Sequence, residues 1–203
     1  AKGNLQVETL MKLFESTLES GSGSSTQDAV NEAVVILYGA LARHLKAGDS
    51  RVPKVVQRLL TTLNTPSESV QYAVAQCLPP LVQASSKEAG QYVQQMMDTM
   101  LTSKKYAAKR GAAYGLAGIV KGRGVSALRE FRIVSNLVVA TEEKKDPYKR
   151  QGAFLAYELL SLILGRVFEP YVIQIVPQLL SGFGDAITDV REACLDAAKT
   201  CFA

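Results

Sequence analysis

Residues 104–124, KKYAAKRGAAYGLAGIVKGRG, hold five glycines, six basic residues and no acid. That mix is what a phosphate-cradling loop would use, and two phosphate chemistries fit such a composition. A Walker loop needs G-x-x-x-x-G-K-[ST] after a strand; Lys121 lies between Val120 and Gly122, and the pattern fails. Gly122-Arg123-Gly124-Val125-Ser126-Ala127 does fit G-x-G-x-x-A, with Glu142 twenty residues on. A dinucleotide fingerprint works only when a buried strand delivers the turn. Here the preceding residues are alanine-rich and helix-periodic, and the fingerprint is set aside.

Other chemistry is sparse. The one histidine, His44, falls beside Leu41 and Leu45 on an expected helix, and without a second histidine and a nucleophile no triad can be assembled. Cys77, Cys194 and Cys201 are an odd set without CxxC spacing, which reads as small core residues in a reducing compartment rather than a disulfide frame or zinc site. The acids look dispersed, with no pair at a shared site. No enzyme activity, cofactor or metal is expected. No apolar run approaches the roughly 20 residues of a membrane helix, and no signal peptide is visible.

Charge is the remaining signal. The chain has 203 residues and a net charge of +4, yet residues 104–150 alone hold twelve Lys/Arg against four acids. Such a block points to an anionic partner. Lys104, Lys105, Lys109 and Arg110 cluster around one expected turn, and Lys144, Lys145, Lys149 and Arg150 around the next equivalent one. Lysines at this spacing suit phosphate backbones better than base edges. Tyr106, Tyr148 and Tyr171 lie nearby, as packing residues or stacking platforms.

Helices must position these groups. Apolar residues recur at helical period over ten segments: 4–20, 28–46, 51–64, 67–84, 87–102, 105–122, 126–141, 147–164, 170–182 and 187–202. Thr65-Pro66-Ser67-Glu68 and Ser85-Ser86-Lys87-Glu88 read as capping boxes, the first with proline opening the helix. Asp146-Pro147 and Glu169-Pro170 read as helix starts. Residues 21–27 read as a flexible loop, and Pro79-Pro80 should bend or end the fourth helix early.

KRGAAYGLAGIVKG from Lys109, RQGAFLAYELLSLILG from Arg150 and VREACLDAAKTCF from Val190 start 41 and 40 residues apart, with a weaker copy from Val70. Two helices per period near 40 is the signature of an all-α HEAT-repeat α-solenoid. The last unit carries the HEAT pattern: Pro177 in the first helix, Asp185 in the turn and Arg191 opening the second, with Asp and Arg expected to pair along the stacked turns. We expect a single array over 1–203 of five units, 1–46, 47–85, 86–124, 125–166 and 167–203, as a fragment of a longer solenoid.

Within that array the opening stretch becomes a packed helix. Gly111, Gly115, Gly118 and Gly122 form one stripe beside Ala112, Leu116, Ile119 and Val120, leaving Arg110, Tyr114 and Lys121 on the remaining side. Each interior glycine costs about 1 kcal/mol of helix propensity, which a close helix–helix contact must offset. GRG should stop the helix. Equivalent turns of stacked repeats share one edge, so the two lysine clusters should join into a basic ridge.

The blocks TPSESVQYAVAQCLPPLV, KYAAKRGAAYGLAGIVKGRG, QGAFLAYELL and GRVFEPYVIQIVPQLLSGFGDAITDVREA resemble the central part of the very large HEAT-repeat activators of the general amino-acid control kinase, which phosphorylates initiation factor two on its alpha subunit. The resemblance runs from about Asp28 to the C-terminus; residues 1–27 match less clearly. It implies a cytoplasmic, non-catalytic segment similar to the HEAT domain of fungal elongation factor three. Implied partners are the ribosome, through RNA or stalk proteins, and an ATP-binding-cassette protein, with the kinase bound by the parent outside this segment. Neither membrane nor DNA is expected. Two alternatives stay open, a protein–protein docking module and a passive spacer.

Overall fold

A computed structural model describes residues 2–19, 24–45 and 48–203. Among these residues there are eleven α-helices and no strand: α1 (Lys2–Glu19), α2 (Ser25–Ala42), α3 (Arg51–Thr62), α4 (Glu68–Ala84), α5 (Ala89–Thr102), α6 (Tyr106–Arg123), α7 (Ala127–Glu130), α8 (Ile133–Thr141), α9 (Pro147–Leu164), α10 (Glu169–Gly182) and α11 (Thr188–Cys201). Each of α1, α3, α5, α8 and α10 packs on the helix that follows it. Those followers, α2, α4, α6, α9 and α11, pack directly on one another in chain order. One continuous apolar cluster runs through the stack, from Met11 on α1 to Ala198 on α11. This is the all-α solenoid that the 40-residue period demands.

The glycine stripe explains how the following helices pack so closely. A Cβ at Gly111 would lie 1.9 Å from the Leu63 carbonyl oxygen; one at Gly118, 2.8 Å from that of Ala75; and one at Gly122, 2.6 Å from that of Pro79. Helix α6 therefore lies on the bare backbone of α4. Prolines 79 and 80 do not end α4, which continues to Ala84. Pro79 has no N–H to return to the Ala75 carbonyl, and that carbonyl is the one facing Gly118. At the far end GRG stops α6: Gly124 takes φ 100°, and its N–H closes on the Val120 carbonyl.

Several sequence expectations need correction. The segment expected over 126–141 is two helices, because Arg132 adopts a left-handed φ of 52°. That twist lets Phe131 pack against Gly90 on α5 while Ile133 enters the core. Neither capping box forms. Helix α4 starts at Glu68, leaving Pro66 outside it, and the Ser67 hydroxyl meets Ser69 instead. Ser85 donates back to the Leu81 carbonyl, and Ser86–Glu88 form a 3-10 turn. Helix α2 begins at Ser25, capped by Ser24, so part of the expected loop is helix; Gly21–Gly23 lie outside the described residues. Helix α2 also ends at Ala42, which leaves His44 exposed in a turn. Tyr114 is buried rather than on an outer side. The two expected helix starts at Asp146 and Glu169 form, Asp146 accepting from the Tyr148 and Lys149 amides.

Candidate functional site

The residues expected to make a ridge separate into two groups. Lys104, Lys105, Lys144 and Lys145 are exposed, on the turns before α6 and α9. None of their ammonium groups has a hydrogen-bond or ion-pair partner among the described residues. Lys149 is half-buried and lines a groove against α5. Lys109, Arg110 and Arg150 point inward and build the edge instead.

Arg150 clamps its own turn to the next. Its Nε and Nη2 donate to the two Asp185 carboxylate oxygens at 2.7 and 2.9 Å, and Nη1 donates to the Glu143 carbonyl at 2.8 Å. The guanidinium holds the Asp185 carboxyl below the usual carboxylate range, and Asp185 in turn raises Arg150. The expected Asp–Arg pair is thus Asp185 with Arg150 across two turns. Arg191 reaches the Asp185 main-chain carbonyl instead, at 2.6 Å.

Arg110 makes the matching clamp on the preceding turn. It donates to Gln71 Oε1 at 2.8 Å, to the Pro66 carbonyl at 2.8 Å and to Glu68 at 3.2 Å. Gln71, fully buried, spends its amide nitrogen on the carbonyls of Leu63, Thr65 and Ala107. Lys109 is fully buried as well; its ammonium donates to Gln151 and lies 5.1 Å from the Tyr148 ring centroid. Burial pushes this ammonium below the usual lysine range, while Asp146 and Asp189 pull the other way.

A polar ladder, from Gln71 through Arg110, Lys109, Gln151 and Arg150 to Asp185, therefore fastens the helix starts of the following-helix layer. The Lys109–Gln151 bond ties the start of α6 to the start of α9. Gly152 on α9 has no room for a Cβ, which would fall 2.3 Å from the Met100 carbonyl, four residues before Lys104. Tyr106 and Tyr148 serve the ladder as ring faces for Arg110 and Lys109. Tyr171 is elsewhere, stacked on Phe168 at 5.8 Å.

The acids are not dispersed in space. Glu158 on α9 and Asp189, Glu192 and Asp196 on α11 line one cleft of about 340 Å³, with Lys104, Tyr106 and Tyr148 at its other wall. Burial, then the Asp196 and Glu68 charges, raise the Glu158 carboxyl. The spacing of 189, 192 and 196 places three of these acids on one helical face, a signal present in the sequence. Lys104 is thus the one turn lysine that shares a cleft with these carboxylates. The cysteines are core residues: Cys77 and Cys194 are buried, and burial pushes the Cys194 thiol up to about 11. Among the described residues no group of His, Cys, Asp and Glu could hold a metal, and no helix is long and apolar enough to cross a membrane.

Comparison with known proteins agrees with the HEAT-repeat fold. A family profile described as "EF3 N-terminal HEAT repeat" matches residues 109–203, and one described as "Stalled ribosome sensor GCN1, HEAT repeats" matches residues 1–43. The chain is 45% identical to the human "Stalled ribosome sensor GCN1" over 97% of its length, and 44% identical to the Saccharomyces cerevisiae "eIF-2-alpha kinase activator GCN1" over 99%. Similarity thus extends through residues 1–27, where the sequence blocks alone are less clear. The chain spans 7% of the length of each of these two relatives. A more distant match, 28% identical over 53% of the chain and 10% of the relative, is "Elongation factor 3" of Gonapodya prolifera.

Proposed function

The chain belongs to the GCN1 family of HEAT-repeat proteins, and on that premise we propose that it is a scaffold segment whose turn lysines hold ribosomal RNA. The parent would be a cytoplasmic, ribosome-associated activator of the initiation-factor-two alpha kinase, with the kinase bound outside this segment. The grouping into five units over 1–46, 47–85, 86–124, 125–166 and 167–203, the fourth with its first helix split into α7 and α8, belongs to the same proposal. So does the role of the array as a non-catalytic stretch of a longer solenoid.

One observation carries the reading. Four exposed ammonium groups without internal partners sit on adjacent turns that buried clamps hold in place. The inward basic residues fix the edge, and the outward ones are left for a ligand. Such an array has its turn backbone already ordered and loses little loop freedom on binding. Neutralising four phosphates gives a slope of log K against log salt of roughly −3.

Co-sedimentation of the chain with purified ribosomes across a salt series tests this. Reversing Lys104, Lys105, Lys144 and Lys145 to Glu should weaken binding most at low salt and flatten the salt slope. Unchanged binding at every salt would sink the RNA reading. Binding that survives both this reversal and nuclease would favour docking of an ATP-binding-cassette partner instead.

A further inference from the structure

A second surface lies away from the lysine turns, on the layer of α8 and α10. Here the break at Arg132 shortens α8 to nine residues and opens a groove of about 820 Å³ beside α10. Its floor is apolar, with Val134, Val138 and Val139 from α8 and Tyr171 from α10. Val139 is 67% exposed, so apolar surface lies open at the groove.

The rim is cationic. Arg129 and Arg132 line the groove and are exposed. Among the described residues neither guanidinium has a hydrogen-bond or ion-pair partner. Glu130, the carboxylate nearest in sequence, is taken by Arg123, and no acid lines the groove. An arginine with left-handed backbone costs about 1 kcal/mol, and here that conformation sets the side chain at the mouth of the groove.

We propose that this groove docks an amphipathic helix of a partner protein, its apolar face on the α8 valines and carboxylates at one end facing Arg129 and Arg132. The chemistry selects this occupant. The floor takes Leu- or Phe-sized side chains at i, i+3, i+4 and i+7 spacing, and the two free guanidiniums suit carboxylates in bidentate geometry. At 1.5 Å per residue α8 and α10 run about 13 and 21 Å, so three or four turns of a partner helix match them. This surface shares no residue with the lysine turns, and either proposal can fail without the other.

The test uses two fluorescein-labelled 16-residue helical peptides with the same leucine stripe, one ending in three Glu and the other in three Lys, titrated against the chain by anisotropy at low salt. The acid-ended peptide should bind at least tenfold more tightly. Arg129→Glu with Arg132→Glu should reverse that preference, and Val139→Asp should weaken both peptides at least tenfold with the circular dichroism of the chain unchanged. Equal binding of the two peptides, no binding at millimolar peptide, or no reversal would overturn the proposal. So would self-association of the chain, or binding to phosphatidylserine-containing vesicles, that Val139→Asp removes, because the groove would then have a different occupant.

Discussion

Replacing Gly111 with alanine examines the packing on which everything else stands. Propensity alone favours alanine in mid-helix by about 1 kcal/mol. The structure opposes it: the new Cβ would lie 1.9 Å from the Leu63 carbonyl oxygen, 2.9 Å from the Leu63 carbonyl carbon and 2.9 Å from Gln71 Nε2. Two of these atoms are backbone and cannot rotate aside. To reach ordinary contact distance α6 must retreat by about 1.5 Å. The retreat overpacks or opens the α4–α6 contact, at about 1–3 kcal/mol. It also strains the Gln71 bonds to Leu63 and Ala107, each worth about 1 kcal/mol. Against the propensity gain the net loss is about 3 kcal/mol, or a fall in melting temperature of about 6–12 °C for a chain of this size. Urea and thermal unfolding with hydrogen exchange read it, with lost protection centred on α4 and α6. Gly184→Ala is the control, since its Cβ would meet only the Ser181 carbonyl oxygen at 3.6 Å; it should be neutral or slightly stabilising. A Gly111→Ala chain as stable as the original would refute the close-contact reasoning.

Other outcomes follow from the ladder and the buried thiols. The depressed Asp185 carboxyl contributes stability that is present above its unfolded pKa of about 3.9 and is lost as pH falls through the lower folded value; Asp185→Asn should cost about 1–3 kcal/mol at pH 7 and remove that part of the acid transition. Lys109 has the opposite consequence: its folded pKa is lowered, so stability rises with pH between the folded value and the unfolded one near 10.4. Lys109→Met should flatten this alkaline rise in pH-dependent denaturation. Cys77 and Cys194 are buried with raised pKa values and should react with a thiol reagent at pH 8 far more slowly than the same thiols in the unfolded chain.

The helical order of the chain was legible from apolar periodicity, and the α6 contact from four glycines in one stripe, because a stripe without side chains has one efficient use. What periodicity does not report is local re-phasing. Nothing in the sequence near Arg132 marks a left-handed residue, since the break arises from Phe131 and Ile133 seeking different neighbours. Capping at Ser67 and Ser85 failed for a similar reason: tertiary placement gave those hydroxyls other partners. In the basic block, sequence counts charges without their directions. Lys109 and Arg110 are neighbours of Lys104 and Lys105 in the chain, yet one helical turn carries them into the ladder. The acidic cleft joins α9 and α11, and only the stacking of those helices brings Glu158 to Asp196.

The most direct measurement places a photo-crosslinking residue at position 145 in one chain and at position 192 in another, each bound to ribosomes and irradiated. Adducts to ribosomal RNA from position 145, with none from position 192 in the acidic cleft, are the expected result. RNA adducts from position 192, or adducts to protein alone from position 145, would contradict the assignment of RNA contact to the turn lysines.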